Sequence, residues 1–242
     1  MPEGPSIVIL KEEATQFKGK EVTEIYGNTS IDLNPFVNQQ VTDFKSWGKH
    51  FLICFKNKTI RIHLLLFGSY RINESKTNER IGFKFENGEL NFYACSVKVL
   101  DGKISDHYDF TADVMNPKWS PAKARKKLAE IPSALICDAL LEQDIFAGVG
   151  NIIKNEVLYR VKVHPEARVG DIPLKKRNEI IKQATVYSFE FLEWKKNFVL
   201  KKHWLAHAKK KCVRCDIPLN KKQTGKKKRR SFFCNNCQSI YQ

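Results

Sequence analysis

Residues 212–237 read CVRCDIPLNKKQTGKKKRRSFFCNNC, and the use made of the four cysteines decides the fold of the C-terminal part of the chain. Cys212 and Cys215 form one Cys-x-x-Cys knuckle and Cys234 and Cys237 another, with eighteen residues between them. Two knuckles at that separation bring four thiolates to one tetrahedral centre, as structural zinc requires, and close a hairpin between them. Four sulfur ligands leave no position for water, so zinc there holds structure and hydrolyses nothing. A redox pair or a chance spacing is the alternative. The hairpin itself is NKKQTGKKKRRSFF, and from Lys195 onward the only acid is Asp216. Cations on a metal-pinned finger are presented to phosphates, whereas the same charges on a free loop would be a solvated face.

The rest of the chain carries the same bias. Lys plus Arg number 42 against 26 Asp plus Glu, a formal net charge of +16 over 242 residues. Such a surface attracts polyanions, nucleic acid first. The length suits one large domain or two modest ones that bury their cores without disulfides. The cysteines number seven, an odd count, and Cys54, Cys95 and Cys137 sit singly in apolar surroundings, so they read as small buried hydrophobes and not as a secreted disulfide framework. Apolar runs such as HFLICF and IHLLLF are strand-sized, far short of the ~20 residues of a spanning helix. The start MPEGPSIVILKEE has neither a basic region nor a small-residue cleavage site. A cytoplasmic protein is expected, beside the nucleoid if the source is bacterial, with no membrane partner.

Along the chain, Ile7, Leu10, Ala14 and Phe17 recur at helical spacing and predict one N-terminal helix. KEVTEIY, QVTDFKSW, HFLICFK, TIRIH and SYRIN then read as strands, and IGFKF alternates with Ile81, Phe83 and Phe85 on one face. Asn87-Gly88 predicts a two-residue hairpin turn before ELNFYA. An antiparallel sandwich or barrel fits this half. At NPKWSPAK the pattern becomes helical: Ser120-Pro121 caps AKARKKLAE, a second helix runs from Ser133 towards Leu141, and NIIKNEVLYRV is a third. A long fourth helix follows Asp171 as cap, with Ile180, Ala184, Tyr187, Phe191 and Trp194 as its core stripe.

Three short motifs are individually ambiguous. Removal of Met1, which a small second residue permits, would leave Pro2 as a secondary amine beside the carboxylate of Glu3; alone, those letters are an ordinary translation start. AGVGN, Ala147–Asn151, offers an anion close approach to the backbone and to a helix N-terminus, or is a steric turn with Asn151 as a plain cap. Lys49 after Gly48 reads by itself as a surface lysine.

Together, PEGP, Gly48-Lys49, LLEQDIFAGVGN followed by NEVLYRVKVHPE, and RRSFFCNNCQ resemble the formamidopyrimidine-DNA glycosylase and endonuclease VIII family of base-excision repair enzymes, in the same order from Pro2 to Gln238. The resemblance implies an α+β multidomain fold. An N-terminal antiparallel β-sandwich with an N-terminal helix would occupy 1–115 and a linker 116–121. A helix-two-turn-helix domain would follow at 122–205 and a zinc finger at 206–242, with DNA between the halves.

The activity implied is that of a bifunctional DNA glycosylase and AP lyase acting on damaged DNA as a monomer, with one structural zinc ion and no small-molecule cofactor. By the same resemblance Pro2 is the nucleophile, Glu3 the acid kept partly protonated by burial, and Lys49 the lysine that reaches the lesion's phosphate and sugar. Asn151 would hold the DNA backbone. The finger arginine, five residues before the third cysteine, is Arg229, with Arg230 the fallback. In HLLLFGSYR, Leu66 and Phe67, with Leu65, would fill the space left by an extruded base, Gly68 marking a turn after them; otherwise LLLF continues a buried strand. YACSVKVLDG lacks the Arg-Phe-Gly wedge of the oxidised-purine branch, and the segment 197–212 is too compact for its lesion-capping loop. Both departures point to the endonuclease VIII-like branch and to oxidised pyrimidines such as thymine glycol and dihydrouracil, with hydantoins also in range. A non-enzymatic zinc-finger binder would explain the charge and cysteines but leave MPEGP without a role.

Overall fold

The structure, a computed structural model, describes residues 2–241; the removal of Met1 concerns a residue outside them. Contacts divide the chain into two compact units, Met1–Asp109 and Phe110–Gln242.

In the first unit Pro5 starts helix α1, Gly4–Ala14, which buries Ile7, Leu10 and Ala14, and a 3-10 turn at Thr15–Phe17 adds Phe17 to the same core. Six strands follow: β1 (Val22–Tyr26), β2 (Asp43–Trp47), β3 (His50–Cys54), β4 (Lys58–Ile72), β5 (Ile81–Phe85) and β6 (Gly88–Asp101). They form one antiparallel sheet in the order β1-β5-β6-β4-β3-β2. The sheet doubles over on itself. Phe51 pairs with Ile62, Ile62 with Val97, and Phe92 lies five residues along β6 from Val97. On a flat sheet Phe51 and Phe92 would be ~17 Å apart along the strands and ~10 Å across them. Their rings are 5.7 Å apart, centroid to centroid, so the two ends of one sheet face each other and enclose the core as a sandwich.

The β5–β6 hairpin is one residue out from its expected register. Phe85 pairs with Gly88, which puts Glu86-Asn87 in the loop. Gly88 takes φ 144° at the start of β6, so the special backbone angle falls after the turn and not within it.

The second unit is helical. Ser120 caps α2 (Pro121–Ala129), its Oγ accepting from the Lys123 N–H at 3.3 Å. The helix expected from Ser133 is shorter than its pattern, a single turn α3 (Ile136–Ala139) followed by another, α4 (Gln143–Phe146). Leu135 is extended and bridges to Arg168, which forbids an earlier start. α6 (Leu174–Lys196) packs on α2 and on α5 (Asn151–Arg160), with Ile180, Ala184, Tyr187 and Phe191 buried as the stripe requires. Pro173 and not Asp171 is the residue that enters α6, because its own backbone is still extended at ψ 142°. A hairpin of β7 (Asn220–Thr224) and β8 (Arg229–Phe233) completes the unit. Cys54, Cys95 and Cys137 are buried. Among the described residues no helix is long and apolar enough to cross a membrane.

Candidate active site and nucleic-acid interface

Pro2 and Glu3 head α1. Pro2 is half-buried, while Glu3, the N-cap residue, has no exposed surface at all. The helix they lead packs on β2 and β3, whose two-residue loop, closed by the Trp47–His50 pair, is Gly48-Lys49. Lys49 is half-buried there.

Behind Lys49 lies a set of rings that the sequence did not single out. His50 Nδ1 lies 3.2 Å from the Tyr108 hydroxyl, and the rings of Trp47 and His63 stand 5.7 and 5.0 Å from that of His50. Burial, then the charges of Arg61, His63 and Lys49, holds the His50 pKa down to about 3. His63 is lowered by burial, Arg61 and Lys49. Both imidazoles are therefore neutral at pH 7, and the positive charge of this region resides on Lys49 and Arg61.

Leu65, Leu66 and Phe67 stand on β4, not on a separate loop. Pairing runs to Leu64–Cys95 and resumes at Ser69–Tyr93, so four residues of β4 face the single residue Ala94. Ala94 sits at φ 47°, and a side chain on Gly68 would meet the Leu65 nitrogen at 2.6 Å and the Ala94 oxygen at 2.8 Å. Gly68 thus marks a close approach of two backbones inside a bulge, where a turn had been expected. The bulge pushes the three apolar residues outward, with Leu66 56 % and Phe67 86 % exposed, so LLLF continues the strand but only its first residue, Leu64, is buried.

In the second unit, the junction AGVGN leads into α5, and the side chains of α5 hold the finger. Asn151 Nδ2 donates to the Arg230 carbonyl at 2.9 Å; its Oδ1 is buried with no hydrogen-bond partner. Lys154, fully buried, donates to the same carbonyl at 3.3 Å and to Ser231 Oγ at 2.8 Å. Asn155 adds a third donor to Arg230, at 3.3 Å. Glu156, also fully buried, accepts the backbone N–H groups of Leu205, Ala206 and His207 at 2.9, 2.9 and 2.6 Å. Burial pushes its pKa up against the pull of those donors and of Arg160. On β8, Arg229 is half-buried opposite Thr224, and the side chain of Arg230 is exposed.

The four finger cysteines converge, their sulfurs all within 4.8 Å of one another and those of Cys212 and Cys237 3.8 Å apart. A tetrahedron with ~2.3 Å metal–sulfur bonds has edges of ~3.8 Å, so the cluster fits a tetrahedral metal ion. The Tyr159 hydroxyl lies 3.1 Å from Cys212 Sγ, and Asn236 Nδ2 donates to Cys215 Sγ at 3.2 Å. Neighbours of this kind orient the ligands of metal sites.

Residues 111–190 match the model of the formamidopyrimidine-DNA glycosylase H2TH domain. Joined to the PEGP head and the four-cysteine finger, that match supports the formamidopyrimidine-DNA glycosylase and endonuclease VIII family for this chain. It is 28% identical over 222 residues to Endonuclease 8-like 3 of Bos taurus, covering 87% of this chain and 37% of that one. It is also 28% identical over 183 residues to the DNA-(apurinic or apyrimidinic site) lyase Nei2 of Mycolicibacterium smegmatis, covering 71% of each. The complex between Lactococcus lactis Fpg (MutM) and a N7-benzyl-Fapy-dG containing DNA superimposes with TM-score 0.86 at 18% identity, covering 98% of this chain and 100% of that one. The chain spans about a third of the length of the vertebrate Endonuclease 8-like 3 relatives.

The residues missed in the sequence are those that hold the finger: Lys154, Asn155, Glu156 and Asp138. One signal was available. Lys154, Asn155 and Glu156 are three successive polar residues in a ten-residue helix, α5, so at least one of them must face inward and needs a partner there. For Asp138 the sequence carried none, because its partners lie 88 and 89 residues away.

Proposed function

We propose that this chain is a bifunctional DNA glycosylase and AP lyase of base-excision repair that removes oxidised bases, chiefly pyrimidines, and cuts the strand by β- and δ-elimination. Support comes from relatives named as Endonuclease 8-like 3 and as an AP lyase, and from a fold shared with a glycosylase solved on lesion-bearing DNA. The observation that carries it is Glu3, a carboxyl with no exposed surface next to Pro2 at the head of a helix anchored in the core. A buried acid is costly to a fold that does not use it.

With Met1 removed, the Pro2 nitrogen attacks C1′ of the damaged nucleotide, and the bond from C1′ to the base breaks. Glu3 protonates the ring oxygen as the sugar opens, leaving an iminium whose positive nitrogen accepts electrons without further protonation. Loss of a C2′ proton expels the 3′ phosphate, and a second elimination expels the 5′ phosphate. Lys49 stabilises phosphate and sugar; Asn151 and Arg229 hold the backbone of damaged DNA; Leu66 and Phe67 fill the space of the extruded base. The preference for pyrimidines rests on the missing Arg-Phe-Gly wedge and the compact segment 197–212. The metal is zinc, held by Cys212, Cys215, Cys234 and Cys237 and structural in role. The protein acts as a monomer in the cytoplasm, without a small-molecule cofactor.

Borohydride reduction in the presence of abasic-site or thymine-glycol DNA tests this. A covalent adduct is expected on Pro2, and P2G or a retained Met1 should abolish it while DNA binding survives. A crosslink on a lysine, or undiminished trapping in either variant, would refute the role of Pro2. No adduct at all would leave a zinc-finger binding protein.

A further inference from the structure

α6 ends in a turn closed by two hydrogen bonds: the Phe198 N–H donates to the Lys195 carbonyl at 3.1 Å, and the Val199 N–H to the Trp194 carbonyl at 2.9 Å. This is the Schellman pattern, in which the first of the two donor residues is left-handed and is usually glycine. Here it is Phe198, at φ 59°. The conformation costs an L-residue about 1 kcal/mol. Its ring is 96 % exposed, more than any other large hydrophobic described, so no burial within the chain offsets that cost.

The turn beneath the ring is firmly built. Trp194 stacks on His203 with centroids 4.2 Å apart and planes 2° from parallel. The Arg160 guanidinium lies 5.7 Å from the Trp194 ring and 4.6 Å from that of Tyr187. Phe198 is thus held outward from a packed base. Lys201 and Lys202, exposed in the next turn, stand three and four residues on.

We propose that Phe198 is a stacking platform for an unpaired nucleobase, with Lys201 and Lys202 taking the adjoining phosphates. A base within a duplex has both faces covered by its neighbours; an unpaired base offers a free π-face, and an aromatic ring rimmed by cations suits it. One ring set among lysines is too small an apolar area for a protein interface. The inference rests on the chain's binding of DNA, not on the chemistry of Pro2.

The test is fluorescence anisotropy with a labelled oligothymidylate of about twelve nucleotides, and with the corresponding duplex, for wild type, F198S, F198W and F198G. F198S should bind the single strand about tenfold more weakly, with the slope of log K against log salt unchanged because no phosphate contact is lost. F198W should bind like wild type, its indole fluorescence quenched by the bases. F198G should weaken binding yet raise the melting temperature, since it relieves the left-handed strain. Wild-type affinity in F198S overturns the proposal. So does an equal loss on duplex, which would place the ring elsewhere than on an unpaired base, and so does a lower melting temperature in F198G, which would mean that the ring supports the fold. Phe198-dependent binding without borohydride trapping would refute the glycosylase reading alone; trapping with Phe198-independent binding would refute this one alone.

Discussion

The backbone N–H of Lys226 donates to a carboxylate oxygen of Asp138 at 2.8 Å, and the other oxygen takes the N–H of Lys227 at 3.2 Å. Asp138 is buried on α3, so the tip of the basic finger is fastened to the helical unit at the turn that precedes Arg229. Gly225, which opens that turn at φ 70°, has no room for a side chain: a Cβ would collide with the Asp138 carboxylate.

G225A should therefore fail on two counts, backbone strain and displacement of the carboxylate. A loss of at least ~1 kcal/mol is expected from the strain alone. D138A leaves two N–H groups without their acceptor, at about 1–3 kcal/mol if they stay buried. D138N should do no better than D138A, because its amide turns a donor towards a donor. Thermal denaturation checks all three, and a G225A protein as stable as wild type would show that the tip is not held.

This attachment illustrates what the sequence could and could not express. The Cys-x-x-Cys pairs, the α6 stripe and the Ser120 cap depend on residues near one another in the chain, and all are as expected. The bulge at Leu65–Gly68 depends on Ala94, twenty-six residues beyond Gly68, and the folding of the sheet depends on Phe51 meeting Phe92. No local period encodes either. Of the site, Pro2-Glu3 was legible as a motif, but the complete burial of Glu3 follows only from packing. Lys154 reads as a solvated helix lysine until β8 lies over it.

The finger arginine can be assigned by salt dependence. Three donors from α5 fix the Arg230 carbonyl and so hold in place the strand that carries Arg229 and Arg230. R229A should weaken binding to abasic-site DNA and reduce the slope of log K against log salt by about 0.9, one phosphate's worth. R230A should have a smaller effect. If R230A alone changes the slope, the phosphate contact belongs to Arg230.

Metal analysis should find one zinc per chain. Removal by a chelator, or C237S, should lower the melting temperature and weaken DNA binding, because Cys212 and Cys234 share a small core with Tyr159, Ala206 and Phe232 that a bound metal would close. Zinc added back should restore the chelated protein but not C237S. A full-strength finger after complete metal loss would mean that the four thiols are held by packing alone.

Stability should fall as the pH drops below neutrality, and the histidines give the sign. His50 is held to about 3 by burial with Arg61, His63 and Lys49, and His207 to about 4 by burial with Lys154; His63 and His164 are also lowered, mainly by burial. In the unfolded chain each titrates near ~6.5. Between the two values the unfolded state binds more protons, so the contribution is complete above pH ~6.5 and is lost as pH falls towards the folded value. Each such histidine adds at most about 1.4 kcal/mol per pH unit to the slope. Urea denaturation at intervals from pH 7 to pH 5 should show that slope, and H50N and H207N should each flatten it. Asn at position 50 can still accept from Tyr108, so a change in slope there reports the lost titration and not a lost contact. A slope untouched by both substitutions would place the acid sensitivity in other groups.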